Sequence, residues 1–176
     1  MIKISVCDDD EGQLTFFKQC FMEYNEKHKE KIEANFYQSV QSLLNEKKFS
    51  PDVYFLDIEL QDGNGLKLAG KIRTRNSKIP IVFITSHEEF MPEAFHVHAY
   101  QYLNEKKNAQ AVENVLNQLA DYFSEQNQIF SFQTYGEMIS LDCRDIICFT
   151  SEKRKNIVIA ESGEFEYYGK FSDIMD

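Results

Sequence analysis

The regular alternation of short apolar runs with amphipathic segments is the feature that most limits how this chain can fold. Five runs have the length and the β-branched or aromatic content of strands, and helical patterns separate them. The runs are Ile2–Cys7, Ile32–Tyr37, Val53–Asp57, "IPIVFITS" and "AYQYL". This alternation, with short connections, predicts a doubly wound α/β domain on a parallel sheet. Three runs are almost continuously apolar, as strands covered on both faces are.

The segments between the runs place apolar residues three and four positions apart, which is the spacing of one helical face. We expect longer helices after the first and fifth strands, the latter from about residue 108 to 123, and shorter ones after the second, third and fourth. The positions predicted to face the core are Leu14, Phe17, Phe21, Tyr24, Leu66, Ala69, Ile72, Val112, Val115, Leu116 and Leu119. Ser39 is placed to cap the second helix.

The pattern changes near Gln126, where short strands and tight turns replace the alternation. We therefore predict an α/β domain over residues 1–123, a polar linker over 124–128 and a partial all-β domain over 129–176. The segment "EKRK" in the second part is either a solvated hairpin turn or a small DNA-binding patch, and the first interpretation is favoured. Residues 125–176 carry a net charge of −5.

Composition excludes some classes of function. The net charge of −10 disfavours non-specific nucleic-acid binding by the chain as a whole. The four cysteines contain no CxxC pair, so we expect reduced, structural thiols in a cytoplasmic protein. The sequence has neither a signal peptide nor an apolar run of the roughly 20 residues that a membrane helix needs, and we expect no membrane association.

Carboxylates collect where the predicted strands end. Asp8, Asp9 and Asp10 follow the first strand, Asp57 ends the third, and Thr85 ends the fourth. The three successive aspartates fit a bound cation, a helix N-terminus or a solvated loop. In a parallel sheet, however, the carboxyl ends of strands meet at one edge, where ligands bind. Mg²⁺ prefers such oxygen ligands, and an aspartate beside it is a plausible phosphoryl acceptor.

These motifs, at these separations, resemble the receiver domain of two-component response regulators. The matching pieces are "CDDDE" after the first strand, "FLDIELQDGNG" around the third, "FITS" at the fourth and "YQYL" at the fifth. The resemblance covers residues 1 to about 123. It implies a flavodoxin-like sheet of order 2-1-3-4-5.

The resemblance also implies a role for individual residues. Asp8 and Asp9 would be the acidic pair that binds Mg²⁺, Asp57 would bind it too and accept the phosphoryl group, and Glu59 would add its backbone carbonyl. Two further residues would form the switch, with Thr85 as its hydroxyl and Tyr102 as its aromatic.

Two other positions match structural roles of the family. Gly65 corresponds to the glycine that opens the third helix. Asp10 has no required role at the metal, so we expect it to cap the first helix.

The remainder of the chain, beginning "GEMISLDCRDIICFTSEKRKNIVI", resembles the opening strands of a LytTR-type DNA-binding domain. The later strands and DNA-reading loops of such a domain are not in the sequence, which indicates a fragment of a longer protein. DNA is therefore an expected partner of the intact protein and not of this fragment.

The sequence departs from the receiver pattern at one informative position. A lysine is expected three residues after Tyr102, but Glu105 stands there and Lys106 follows. Either Lys106 reaches the site through a shifted loop, or the site lacks this cation. Gln61 also replaces a common proline.

The favoured interpretation is a response regulator that is not an enzyme. A histidine kinase would phosphorylate it, phosphorylation would favour a homodimer, and the intact protein would regulate transcription. The first alternative is a pseudo-receiver controlled by a partner instead of by phosphate, which Glu105 motivates. The second is a haloacid-dehalogenase-like phosphatase, because Asp8 and Asp10 mimic its nucleophile pair.

Overall fold

The computed structural model describes residues 1–103, 108–126, 129–152 and 155–167, and the chain divides into two compact units, Met1–Gln118 and Leu119–Asp176. The strands of the first unit are β1 (Ile2–Cys7), β2 (Ile32–Tyr37), β3 (Val53–Asp57), β4 (Glu59–Leu60), β5 (Gly63–Asn64), β6 (Ile81–Ile84) and β7 (Gln101–Leu103). The helices are α1 (Glu11–Lys27), α2 (Val40–Asn45), α3 (Gly65–Arg75), α4 (Met91–His96) and α5 (Ala109–Gln126), and a 3₁₀ turn, Glu88–Phe90, precedes α4.

Five of these strands form one sheet in the order β2-β1-β3-β6-β7, with every neighbouring pair parallel. β4 and β5 pair only with each other, as a two-residue antiparallel hairpin after β3. Counted without that hairpin, the order is 2-1-3-4-5, so the predicted fold class is confirmed. The central strands are buried along nearly their whole length, which explains their continuous apolar sequence.

Helix α1 forms as its sequence predicts. The side chain of Asp10 accepts hydrogen bonds from the backbone N–H groups of Gly12 and Gln13, so its expected role as the N-cap is confirmed. The predicted apolar face of the helix is buried against the sheet. Phe17 and Phe21 each approach the ring of Phe55 edge to face, with 5.9 Å between ring centroids.

The other helices differ from the prediction mainly in length. Ser39 caps α2 as expected, since its side chain accepts from the backbone N–H of Ser42. Helix α3 ends at Arg75, three residues beyond Ile72, which is the last core-facing position predicted for it. Its last turn carries Arg73, whose guanidinium donates to the backbone carbonyls of three residues outside the helix, Ile79, Val97 and His98. Helix α5 continues to Gln126, so it includes the first residues of the predicted linker.

The second unit contains the end of α5 and a 3₁₀ turn, Cys143–Asp145, and its other regular elements are strands among the described residues, as the sequence predicts for residues 129–176. Its strands are β8 (Ile129–Thr134), β9 (Glu137–Asp142), β10 (Ile146–Glu152), β11 (Lys155–Ala160) and β12 (Gly163–Tyr167). β8 pairs with β9, and β10-β11-β12 form an antiparallel sheet. A small core holds these strands together, formed by Phe132, Leu141, Val158, Ala160 and Tyr167.

Two chemical properties of the whole chain follow from this fold. All four cysteines are free; Cys7 and Cys20 are buried, whereas Cys143 and Cys148 are exposed. Burial raises the pKa of the Cys20 thiol to about 11, so it stays protonated at neutral pH.

Across the described residues, every helix is too short or too polar to cross a lipid bilayer.

Candidate functional site

Three carboxylates converge at the carboxyl edge of the parallel sheet. Asp57 is the last residue of β3, and Asp8 and Asp9 directly follow β1. Cys7 pairs with Leu56 across these strands, which brings Asp8 level with Asp57. One oxygen from each of the three carboxylates lies within 4.8 Å of the others. Asp8 and Asp57 are almost fully buried and Asp9 is half-buried.

Backbone amides orient each of these carboxylates. Asp8 Oδ1 accepts from the N–H of Asp10 at 2.9 Å, and Asp57 Oδ1 accepts from the N–H of Ile58 at 2.8 Å. Asp9 Oδ2 accepts from the N–H of Gln61 at 3.0 Å. Hydrogen bonds of this kind stabilise the charged form of a carboxylate. The donor set, three carboxylates within reach of one ion, fits the oxygen coordination that Mg²⁺ prefers.

The pKa of a neighbouring thiol reflects the negative potential at this edge of the sheet. Cys7, the last residue of β1, has its pKa raised to about 12, first by burial and then by Asp62, Asp8, Asp57 and Asp9. A cation is therefore favoured here and a further anion is disfavoured. The buried thiol remains neutral and behaves as a small apolar side chain.

Gly65 allows α3 to begin directly against the backbone of Asp57. A Cβ atom at this residue would lie 2.1 Å from the backbone oxygen of Asp57 and 3.0 Å from Cα of Ile58. The Gly65 N–H also donates to the Ile58 carbonyl at 2.9 Å. Only glycine fits this close approach, so the expected role of Gly65 at the start of the third helix has a steric cause.

Asp62 fixes the loop that follows the site. Its carboxylate accepts from the N–H groups of Val40 and Gln41, at 2.9 and 3.0 Å, and these bonds lower its pKa. The adjacent Gly63 packs against α2 as well, because a Cβ atom there would lie 3.0 Å from Cγ2 of Val40. The turn of the hairpin after Asp57 is therefore held on one side by Asp9, through Gln61, and on the other by the N-terminus of α2, through Asp62.

Thr85 follows the strand next to β3, Tyr102 lies on the edge strand β7, and the two residues are connected through His87. Thr85 is fully buried and follows β6, whose Ile84 pairs with Asp57. The N–H of His87 donates to Thr85 Oγ1 at 3.3 Å, and the hydroxyl of Tyr102 donates to the His87 carbonyl. The backbone of His87 therefore contacts both the Thr85 hydroxyl and the Tyr102 hydroxyl.

The side chain of His87 also contacts two carboxylates. Its Nε2 lies 3.0 Å from Glu59 Oε2, and its Nδ1 lies 3.0 Å from Glu89 Oε1. The Glu59 side chain thus points to the loop after β6. Its backbone carbonyl stays the predicted metal ligand.

These positions match a known family. The family model described as "Response regulator receiver domain" matches residues 4–117. The chain belongs to this family. The carboxylates Asp8, Asp9 and Asp57, together with Thr85 and Tyr102, all lie inside the matched part of the receiver.

The relatives of this receiver are longer regulators. The chain is 29% identical to an uncharacterized response regulatory protein of Yersinia pestis over 120 residues. This alignment covers 68% of the chain and 49% of the relative. The chain is also 32% identical to "Sensory transduction protein LytR" of Staphylococcus haemolyticus over 111 residues. This second alignment covers 63% of the chain and 42% of the relative. The chain spans about half the length of these relatives. The resemblance to LytR-type response regulators is confirmed.

Solved structures agree on the fold. A CheY-like receiver domain protein from Methanospirillum hungatei matches with a TM-score of 0.61 and 18% identity, over 71% of this chain and 98% of that one. TrrA from Thermotoga maritima, solved in complex with Mg²⁺ and BeF, matches with a TM-score of 0.58 and 22% identity, over 68% and 99%. At these identities the likeness establishes the receiver fold alone.

Sequence reasoning located most residues of the candidate site but missed two. It did not find His87 as the link between Thr85 and Tyr102, or Asp62 as the link to α2. For His87 a signal was available in the sequence. His87 lies two residues after Thr85 and Glu59 lies two residues after Asp57, and since the two strands are adjacent, this spacing predicts that the two side chains meet. The predictions on Glu105 and Lys106 lie outside the described residues.

Proposed function

We propose that a histidine kinase phosphorylates Asp57 and that this controls transcription through a LytTR-type DNA-binding domain in the intact protein. The observation that carries the proposal is the convergence of Asp57 with Asp8 and Asp9 at the carboxyl edge of a receiver sheet. Both partners, a kinase phosphotransfer domain and DNA, are reached from the cytoplasm, and we assign the function to that compartment.

The chemistry required of the chain is a phosphoryl transfer to a carboxylate. An oxygen of Asp57 attacks the phosphorus of a phosphohistidine, a P–O bond forms and the P–N bond breaks. The imidazole nitrogen keeps the electron pair and takes a proton from solvent, and Asp57 becomes an acyl phosphate. Asp8, Asp9 and Asp57, with the Glu59 backbone carbonyl, would hold the metal. Bound there, Mg²⁺ would offset the charge of the carboxylates and of the phosphoryl oxygens.

Thr85 and Tyr102 would convert phosphorylation into a change of surface. The Thr85 hydroxyl is the group that can donate to a phosphoryl oxygen, and it now accepts from the His87 N–H. The Tyr102 ring borders a shallow apolar surface that also includes Met91 and the 79% exposed Phe95. We assign homodimer formation to this surface, since a second copy would cover side chains that one copy exposes.

Beryllofluoride binding tests the proposal. We expect Mg²⁺ with beryllofluoride to shift amide NMR signals around Asp57, Thr85 and Tyr102 and to reduce the elution volume on gel filtration. Asp57→Asn should abolish both responses. A wild-type protein that responds no more than Asp57→Asn would contradict the proposal.

A pseudo-receiver remains the second candidate, because Glu105 stands where the family has lysine. We expect weak labelling of wild type by small phosphodonors and a gain of about tenfold in Glu105→Lys, since an opposite charge near a phosphoryl group contributes about 1.4 kcal/mol even after screening. Loss of labelling in Lys106→Ala would identify Lys106 as the replacement cation.

The phosphatase alternative makes a different prediction, because Asp8→Asn and not Asp57→Asn would then remove activity on phosphate esters.

A further inference from the structure

A groove lies between α2 and α3 at the opposite edge of the sheet from the carboxylates. Its volume is about 480 Å³, within the range of small-molecule sites. Apolar side chains line it, among them Leu43, Leu44, Tyr54, Ile72 and Ile79. Tyr54 stands near the start of β3, and the α2 and α3 residues belong to the C-terminal parts of those helices, so this groove is separate from the proposed phosphorylation site.

Two cations stand on the rim of this groove. Lys71 and Arg75 are four residues apart on α3, which puts them on one face of the helix. Within the part of the chain that the structure describes, neither side chain has a carboxylate within salt-bridge distance. Arg73 on the same helix differs, because its guanidinium is used by three backbone carbonyls. The charges of Lys71 and Arg75 are therefore available to a ligand.

One carboxylate, that of Glu46, also stands at the groove, and its negative charge offsets one of the two cations there. Glu46 accepts from the backbone N–H of Lys48 at 2.7 Å, and its pKa is lowered chiefly by that bond. The hydroxyl of Tyr54 adds a polar group within the groove. Burial and the neighbouring Tyr37 raise its pKa, while Arg75 acts in the opposite direction, so the Tyr54 hydroxyl stays protonated and able to donate.

We propose that this groove binds a small amphipathic carboxylic acid, with its apolar part on Leu43, Leu44 and Ile72 and its carboxylate on Arg75 and Lys71. The choice of an acid rests on charge complementarity. The chain as a whole has a net charge of −10 and repels anions, whereas the rim of this groove carries two cations against one carboxylate. A guanidinium binds a carboxylate by two parallel hydrogen bonds, which gives the site a preference for acids over alcohols or amines.

The proposal goes beyond the proposed function and does not depend on it. Octanoate is the probe, titrated into the full chain without Mg²⁺ and followed by ¹H–¹⁵N NMR, with Asp57→Asn as a second background. We expect signals of α2 and of the C-terminal half of α3 to shift, and those of Asp8, Asp9 and Asp57 to stay in place. Octylammonium, which has the same apolar chain and the opposite charge, should bind at least tenfold more weakly.

Matched variants separate a specific site from general adhesion. Arg75→Gln should weaken octanoate binding about tenfold, the loss expected for one charge-assisted pair. Lys67→Gln removes the same charge from an exposed position on the same helix, outside the groove, and should leave the affinity unchanged. Both substitutions are at exposed positions and should fold. Absence of binding at millimolar octanoate, equal affinity for octylammonium, or equal losses in the two variants would each overturn the proposal.

Discussion

The two units of the chain bury their apolar side chains to different degrees. In the first, helices cover the parallel sheet, and large side chains such as Phe17, Phe55 and Phe83 are almost fully buried. In the second, Ile129, Tyr135, Met138 and Ile147 stay at least 66% exposed on strands or turns. The first unit also exposes a few large apolar side chains, Met22 and Phe95 among them, so the two units differ mainly in the size of the core that holds each together.

The largest expected effect comes from Phe55→Ala in the first unit. Phe55 is fully buried and touches two other aromatic rings, so we expect its removal to lower the free energy of unfolding by about 3–5 kcal/mol. Phe132→Ala is the matched change in the second unit, where the core is small and can collapse around the gap. Hydrogen exchange with mass spectrometry, read separately on peptides of each unit, measures both. Equal losses would remove the contrast between the units.

Gly65→Ala tests the tightest contact in the first unit. Its new Cβ would meet the Asp57 carbonyl, so we expect a loss of about 1–3 kcal/mol in urea unfolding and weaker Mg²⁺ binding. Gly70→Ala is the control on the same helix, since a Cβ atom there would meet nothing within 4 Å. Alanine is the better helix former, and this control should be neutral or stabilising by up to about 1 kcal/mol. A Gly65 variant as stable as the Gly70 variant would contradict the steric argument.

Asp9→Asn should have a smaller effect that depends on Mg²⁺. Removing one of three convergent charges relieves repulsion, so the variant should be about 1 kcal/mol more stable than wild type without Mg²⁺ and should lose the stabilisation that Mg²⁺ gives. Thermal unfolding with and without Mg²⁺ measures this. Asp10→Asn removes a charge from the same loop, but asparagine caps a helix equally well, and its response to Mg²⁺ should stay like that of wild type. Identical Mg²⁺ responses in the Asp9 variant and wild type would show that the cluster does not bind the ion.

The smallest effect is expected at Asp62, and it depends on pH. Because two backbone amides lower its pKa in the folded state, its contribution to stability is present above the unfolded pKa, about 3.9, and is lost as pH falls through the lower folded value. Asp62→Asn should therefore flatten the acid limb of the stability profile and speed amide exchange in α2. Asp52→Asn, which only weakens the bond that Asp52 accepts from the Lys3 N–H, should leave α2 exchange unaltered.

Much of the first unit is predictable because its signals are local. Apolar runs set the strands, and the acids directly after them, Asp8 and Asp57, must then lie at one edge of a parallel sheet. Contacts between distant segments are not visible in this way. The last turn of α3 depends on carbonyls that Arg73 reaches 24 and 25 residues further along the chain, and the His87 link depends on two loops meeting.

The pairing of β1 with β3 has a consequence for how the protein reaches its native state. Cys7 stands opposite Leu56, and a slip of one residue would turn Asp57 to the other face of the sheet. The carboxylates would then no longer meet. Under the proposed assignment, Mg²⁺ affinity therefore reports whether β1 and β3 have paired in the correct register during refolding. A chain trapped in a shifted register would not bind the ion.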